Sequence, residues 1–167
     1  RVLIKKLAPD LGLSLGNGYI PERIFSLPRL GMINLHTELL PKYQNAESVI
    51  WSIYNNERRT GFTIHQIDKN IDTGAIIYRE EYDIMFGPTL KETVTATLEL
   101  ARQRAPTALR MVCENFQSLN NNATPQGSGT YYTTPSIWQF ISMIRRNKLA
   151  WKEKVQHRSD GTGRRAG

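Results

Sequence analysis

The sequence predicts an α/β domain built around a mostly parallel sheet. Short apolar runs that end in turns alternate along the chain with segments of helical periodicity. Polar residues gather where two of the predicted strands end, and ligands bind at such strand ends in open α/β sheets. With 167 residues, the chain is long enough to bury one hydrophobic core.

The first half of the chain contains two predicted strands, each followed by a predicted helix. Residues 11–15 form an apolar run that closes in a Gly-Asn-Gly turn, which is typical of a buried strand. Residues 21–25 begin with proline and suit a short helix. Residues 31–36 indicate a second buried strand with polar residues at its carboxyl end. Residues 46–56 carry apolar side chains at helical spacing.

Two more strands and a long helix are predicted in the second half. Residues 62–67 and 75–82 are rich in β-branched and aromatic side chains and flank the loop 68–74. Thr89 and Glu92 have the spacing of a capping box, so the long helix is expected to begin there.

The remaining elements are helical. Pro106 is expected to kink or split the long helix before residues 107–116. A polar loop follows at residues 120–129, and Ser136 is expected to cap a last helix from Ile137 to about residue 149.

Composition indicates a soluble globular protein. Hydrophobic residues make up 40% of the chain and charged residues 22%. No apolar run approaches the roughly 20 residues that cross a bilayer, so no membrane partner is expected. The single cysteine, Cys113, excludes an internal disulfide and a cysteine metal cluster. A reducing cytoplasm is the compartment that this cysteine content predicts.

The net charge of +7 comes mostly from residues 145–167, because the rest of the chain is nearly neutral. The end of this segment has no apolar periodicity and is expected to be a disordered, basic tail at residues 151–167. A basic module that binds nucleic acid or an anionic membrane through this tail is therefore one alternative function.

Two polar side chains at the end of the second strand are the first candidates for chemistry. Asn34 and His36 are two positions apart, so both point to the same face of the sheet. Spacing alone does not decide between a chemical role and a structural role for this pair, because such residues also satisfy backbone groups at a strand end. Among the few histidines, none has the spacing of metal ligands, and His65 is interpreted as structural.

A wider set of motifs resembles the formyltransferase family, which includes methionyl-tRNA, glycinamide ribonucleotide and nucleotide-sugar formyltransferases. The resemblance covers residues 9–115, and its motifs recur in the family's order and at similar distances. These motifs are Gly31-Met-Ile-Asn-Leu-His36, Leu39-Leu-Pro-Lys-Tyr43, Trp51-Ser-Ile53, Thr60-Gly-Phe-Thr-Ile-His65 and Ile71-Asp-Thr-Gly-Ala-Ile-Ile77.

The resemblance implies a Rossmann-like fold of the formyltransferase type and places Asn34, His36 and Asp72 at the family's catalytic positions. It also implies transfer of a formyl group from N10-formyltetrahydrofolate to a primary amine. The chemistry agrees, because the Asn34 amide and a protonated His36 can donate hydrogen bonds to the oxyanion that forms during transfer. Asp72 is the natural acceptor for the proton that the amine loses. No metal is needed.

The same resemblance implies where the folate donor binds. Similar proteins hold the pterin with backbone groups and apolar side chains of two loops. In this sequence those loops supply six candidate residues, namely Gly18, Tyr19, Ile20, Ile71, Thr73 and Gly74. Gly74 is expected to let the backbone turn sharply beside the ligand. For Tyr19 and Ile20, ordinary loop packing is an equally supported alternative.

The sequence departs from the family at three points. The family's His-x-Ser-Leu-Leu-Pro reads here with Glu38 in place of serine, which is expected to place a carboxylate beside the site. Gln44 and Asn45 stand where the family has Arg-Gly. The first βα units are expected to be absent, and so is the additional barrel domain of the tRNA enzyme.

These departures favour an amine on a small molecule, such as an amino-sugar nucleotide, over tRNA. Hydrolysis of formyltetrahydrofolate and a catalytically silent remnant are further alternatives. The predicted organisation is a catalytic domain at residues 1–118, a loop and helical extension at 119–150, and the basic tail at 151–167. The sequence does not indicate an oligomeric state.

Overall fold

The computed structural model describes residues 2–46 and 49–162. Its four-stranded sheet has the order β1–β2–β3–β4, with the strands at Gly12–Leu15, Met32–His36, Arg59–Gln66 and Ile76–Asp83. The helices are α1 (Val2–Leu7), α2 (Glu22–Phe25), α3 (Ile50–Tyr54), α4 (Leu90–Glu114), α5 (Phe116–Asn121) and α6 (Ile137–Thr162).

Strand direction differs from the predicted mostly parallel sheet. β1 and β2 are parallel, but β2–β3 and β3–β4 are antiparallel, so the sheet is mixed. β3 and β4 are antiparallel because the loop 67–75 between them is short, whereas neighbouring parallel strands need a crossover of about a dozen residues or more. The α/β class itself is as predicted.

The edge strand β1 is less buried than predicted. Leu13 and Leu15 are 45% and 54% exposed, whereas Ser14 between them is 2% exposed. Side chains alternate between the two faces of a strand, so the serine faces the covered side and both leucines face the open side. Within the described residues, β1 has β2 as its single sheet neighbour.

Two hydrophobic clusters hold the fold together. In the first, α4 covers the sheet, and Ala101, Ala105 and Val112 pack against Phe62 and Ile64 of β3. The second lies between α3 and α6 and includes Trp51, Ile53, Phe86, Leu90 and Met143. Burial of each large aliphatic or aromatic side chain contributes roughly 1.5–3 kcal/mol.

The last helix is longer than predicted. The prediction ended it near residue 149 and assigned residues 151–167 to a disordered tail, which is wrong for residues 151–162 because α6 continues to Thr162. Ala150 is 4% exposed, Trp151 packs against the second cluster, and Lys154 Nζ donates to Phe86 O at 3.3 Å. These contacts hold the segment helical, and residues 163–167 lie outside the described residues.

Pro106 does not split α4, which runs through it, so of the two predicted effects only a kink stays a prediction. None of the helices in the described part of the chain is long and apolar enough to cross a membrane.

The predicted boundary at residue 118, between the catalytic domain and the helical extension, stays a prediction.

Candidate active site

A cleft of about 460 Å³ opens at the carboxyl ends of β1 and β2. Loop 16–20, which follows β1, forms one wall, and residues 67–72, which follow β3, form another. The structure brings seven of the nine predicted site residues to this cleft, namely Gly18, Tyr19, Ile20, Asn34, His36, Ile71 and Asp72.

β2 presents Asn34 and His36 to the cleft, as their spacing predicted. The antiparallel register sets Asn34 opposite His65 of β3, and Asn34 Nδ2 lies 3.2 Å from His65 Nε2. Asn34 Oδ1 is buried and has no hydrogen-bond partner among the described residues. A ligand N–H that entered the cleft could therefore bond to an acceptor that the protein leaves unused.

Both ring nitrogens of His36 are engaged by the protein. Nε2 donates to Tyr43 O at 2.8 Å, and Nδ1 lies 3.6 Å from Asp72 Oδ2. A carbonyl oxygen can only accept, so the proton of the neutral ring is on Nε2 and Nδ1 carries the lone pair. Burial lowers the pKa of His36 below its usual 6.5, and the Asp72 carboxylate opposes that effect in part.

Asp72 lies between two histidines. Its Oδ2 accepts from Asn45 N at 2.9 Å, and its Oδ1 lies 3.5 Å from His65 Nε2. Burial on its own raises the pKa of the Asp72 carboxyl. The contacts with His65, His36 and the Asn45 N–H outweigh burial, so the pKa lies below its ordinary value. The pair is therefore an ionised carboxylate beside a neutral imidazole at neutral pH.

His65 belongs to the site, although its position in the sequence suggested a structural role. Its Nδ1 donates to Gln66 O at 2.7 Å, so Nε2 accepts from the Asn34 amide when the ring is neutral. When the ring is protonated, Nε2 presents an N–H to Asp72. The two histidine rings meet edge to face, with centroids 6.4 Å apart. The β2–β3 register was the signal that could have identified His65.

Thr73 and Gly74 do not line the cleft. Thr73 Oγ1 donates to the Asp68 carboxylate at 2.7 Å. A Cβ on Gly74 would lie 1.9 Å from Gln66 O, so glycine is needed there for the loop to pack against β3. Their predicted contact with folate stays a prediction.

Glu38 is not beside the site, contrary to the prediction. The chain turns after β2, and the Glu38 side chain enters the core, where it is 0% exposed. Its Oε2 accepts from Ser52 Oγ at 3.1 Å and from Thr60 Oγ1 at 2.9 Å. Burial, opposed in part by those hydroxyls, raises the pKa of Glu38 to about 8. Its Oε1 has no partner among the described residues.

Within residues 2–46 and 49–162, no group of three histidine, cysteine or acidic side chains could hold a metal ion. The arrangement instead offers an amide donor, a carboxylate and a neutral imidazole in one cleft. These groups suit the transfer of an acyl group to an amine, because such a reaction requires stabilisation of an oxygen and removal of a proton.

Comparison with known proteins agrees with this chemistry. The model of the formyl transferase family matches residues 3–109. The chain belongs to the formyl transferase family. Asn34, His36 and Asp72 all lie within the matched residues.

Two curated relatives illustrate the similarity within the formyl transferase family. GDP-perosamine N-formyltransferase of Brucella melitensis is 40% identical over 104 residues, which are 62% of this chain and 38% of that protein. Methionyl-tRNA formyltransferase of Alkaliphilus oremlandii is 39% identical over 142 residues, which are 84% of this chain and 44% of that protein. The chain thus spans less than half the length of either relative.

Solved structures confirm the Rossmann-like formyltransferase fold. The formyltransferase PseJ from Anoxybacillus kamchatkensis, in complex with UDP-4,6-dideoxy-4-formamido-L-AltNAc and tetrahydrofolate, matches with a TM-score of 0.56 and 26% identity, covering 83% of this chain and 78% of that one. HypX from Aquifex aeolicus matches with a TM-score of 0.64 and 17% identity, covering 87% of this chain and 27% of that one. The latter likeness concerns the fold alone.

Proposed function

We propose that the protein transfers a formyl group from N10-formyltetrahydrofolate to the primary amine of a small substrate, an amino-sugar nucleotide. The observation that carries this proposal is the meeting of Asn34, His36 and Asp72 in one cleft, although they come from two motifs that are far apart in the sequence. The acceptor class is supported by the similarity to GDP-perosamine N-formyltransferase.

The cleft fits a folate donor. Its volume of about 460 Å³ lies in the range of small-molecule sites, and Tyr19, Ile20 and Ile71 add apolar surface near the polar cluster. Asn34 Oδ1 is a buried acceptor without a partner among the described residues. These residues and Gly18 would hold the donor, which supplies the formyl group.

The Asn34 amide is the group best placed to stabilise the oxygen of the formyl group. Nδ2 carries two hydrogens, and the contact with His65 uses one of them. The second can donate to an oxygen in the cleft. A donor of this kind typically lowers the activation free energy by about 3 kcal/mol, because the oxygen gains negative charge in the transition state.

His36 and Asp72 together are suited to remove the proton of the amine. The prediction gave a protonated His36 the role of hydrogen-bond donor, but Nε2 is held by Tyr43 O and Nδ1 faces the carboxylate. Neutral His36 can accept a proton at Nδ1, and Asp72 stabilises the imidazolium that results. Asp72 can also accept the proton directly or through a water molecule.

Transfer to the amino acid carried by tRNA is the second candidate. The similarity to a methionyl-tRNA formyltransferase extends over 84% of this chain, well beyond the residues that the family model matches. Both candidate functions use the same site and differ in the acceptor.

The cytoplasmic location stays a prediction.

Release of tetrahydrofolate from the donor distinguishes the candidates. The full-length protein is incubated with the donor and with amino-sugar nucleotides, with methionyl-tRNA, or without an amine, and His36→Ala serves as the inactive control. Turnover that requires an amino-sugar nucleotide supports the proposal, and turnover that requires methionyl-tRNA supports the second candidate. Turnover without an amine would instead identify a hydrolase.

A further inference from the structure

Residues 123–132, here called the strap, link the start of β4 to the loop that follows β2. At one end, Thr124 and Ile76 exchange two backbone hydrogen bonds of 2.8 Å. At the other end, Gln44 N donates to Thr130 O at 2.9 Å, and Tyr132 N donates to Gln44 O at 2.9 Å. The strap lies outside residues 3–109, which the family model matches.

The side chain of Gln126, in the strap, contacts the loop between β3 and β4 that carries Asp72. Its Nε2 donates to Asp72 O at 3.0 Å and to Gly74 O at 2.7 Å. Its Oε1 accepts from Gln44 Nε2 at 3.4 Å, and the same Gln44 nitrogen lies 3.3 Å from Asp72 O. Two glutamine side chains thus donate hydrogen bonds to the backbone carbonyl group of Asp72.

The backbone at Asp72 needs such support. Its φ angle is +54°, in the left-handed region that residues other than glycine adopt at some energetic cost. Asn45, whose N–H binds the Asp72 carboxylate, also has a positive φ of 55°, and its side chain donates to Tyr132 O of the strap at 2.7 Å. The strap therefore contacts both residues that set the position of the carboxylate.

We propose that Gln126 is a positioning residue, which fixes the Asp72 loop so that the carboxylate stays beside His36. Gln126 does not line the cleft, and its contacts with the site run through the backbone of Asp72 and through Gln44. The same contacts explain one departure from the family, because Gln44, in place of arginine, pairs with Gln126. The expected effect on turnover rests on the proposed function, whereas the effect on His36 does not.

The test replaces Gln126 with methionine in the full-length chain, which keeps the length of the side chain and removes both donated hydrogen bonds. Gln126→Glu is a second variant that cannot donate when ionised. The matched control is Gln103→Met at an exposed position of α4. We expect kcat to fall by about tenfold to 100-fold in both Gln126 variants, with little change in KM, because small displacements of catalytic groups have effects of this size.

An NMR titration of the histidine Cε1–H signals gives a second readout that needs no turnover. Since the Asp72 carboxylate raises the pKa of His36, a displaced carboxylate is expected to leave that pKa lower, and Asp72→Asn serves as the reference for its complete loss. An unchanged His36 titration in folded Gln126→Met would overturn the proposal. Loss of the fold in both variants would also overturn it, since Gln126 would then support the whole domain. Absence of turnover in the wild type, with the expected NMR shift, would contradict the proposed function alone.

Discussion

At the residue scale, the chemistry of the site depends on which atoms hold protons. Tyr43 O fixes the proton of neutral His36 on Nε2, and Gln66 O fixes that of neutral His65 on Nδ1. Each ring therefore turns its second nitrogen toward Asp72. The carboxylate is flanked by two imidazoles, and a proton that arrives there can be shared among three groups.

Replacing His65 tests whether this second histidine belongs to the machinery. His65→Leu is expected to lower kcat by up to about 100-fold, because Asn34 loses the acceptor that orients its amide and Asp72 loses a neighbour. The measurement is steady-state turnover with the preferred amine. His157→Leu, at an exposed position of α6, is the matched control and should be fully active. Equal activity of both variants would return His65 to a purely structural role.

Glu38 gives a prediction on stability. Its pKa is about 8 in the folded state, compared with the ordinary 4.5. Between pH 4.5 and pH 8, the folded protein therefore keeps a proton on Glu38 that the unfolded chain has released. The free energy of unfolding therefore decreases as the pH rises from about 4.5 through 8. Glu38→Gln keeps the shape, removes the titration and is expected to stabilise the protein at pH 9 by at most about 5 kcal/mol.

Urea denaturation of wild type and Glu38→Gln between pH 5 and pH 9 measures this difference. The stabilisation should be small at pH 5 and grow toward pH 9. Glu114→Gln, at an exposed end of α4, is expected to show no such trend. A constant difference between wild type and Glu38→Gln across this range would contradict a raised pKa at this carboxyl.

The meeting of the three candidate catalytic residues in one cleft could be predicted from the sequence, because each stands in a local motif. Asn34 and His36 share a strand, and Asp72 lies in the loop between β3 and β4. His65 and Glu38 could not be placed in this way, since one depends on the register between β2 and β3 and the other on the direction of the chain after β2. Strand register and chain direction belong to the tertiary structure, and a single sequence motif does not predict them.

At the element scale, α4 begins with the predicted capping box. Thr89 Oγ1 accepts from Glu92 N at 3.2 Å, and Glu92 Oε2 accepts from Thr89 N at 3.0 Å. Thr89→Ala is expected to lower the free energy of unfolding by about 1 kcal/mol, because the first turn loses its side-chain acceptor. Urea denaturation measures the change. Thr107→Ala, inside the same helix, should be neutral or slightly stabilising, and an equal loss in both variants would contradict the capping role.

The elements most accurately predicted were those whose signal is local, such as α4 and the strand that carries Asn34. Strand direction and the length of α6 were not, because both depend on contacts between distant parts of the chain. The end of α6 is held by two contacts: Lys154 donates to Phe86 O, and Trp151 packs against the second hydrophobic cluster. No apolar periodicity in residues 151–162 indicates these contacts.

At the scale of the whole molecule, residues beyond the family match pack against the elements that carry the site. α6 packs on α3, and the strap links the start of β4 to the loop that follows β2. A stack of Tyr43, Trp51 and Tyr132 anchors the strap to this body. The geometry of the cleft thus depends on contacts across the assembled domain.

The most direct test of the central claim follows an isotope-labelled formyl group from N10-formyltetrahydrofolate to the amine, with mass spectrometry of the product. The wild-type protein is expected to deliver the label to an amino-sugar nucleotide, and His36→Ala and Asp72→Asn are expected to lose at least about 100-fold in rate. Unlabelled amine in the presence of folded wild-type protein, or full labelling by both variants, would contradict the assignment of formyl transfer to this cleft.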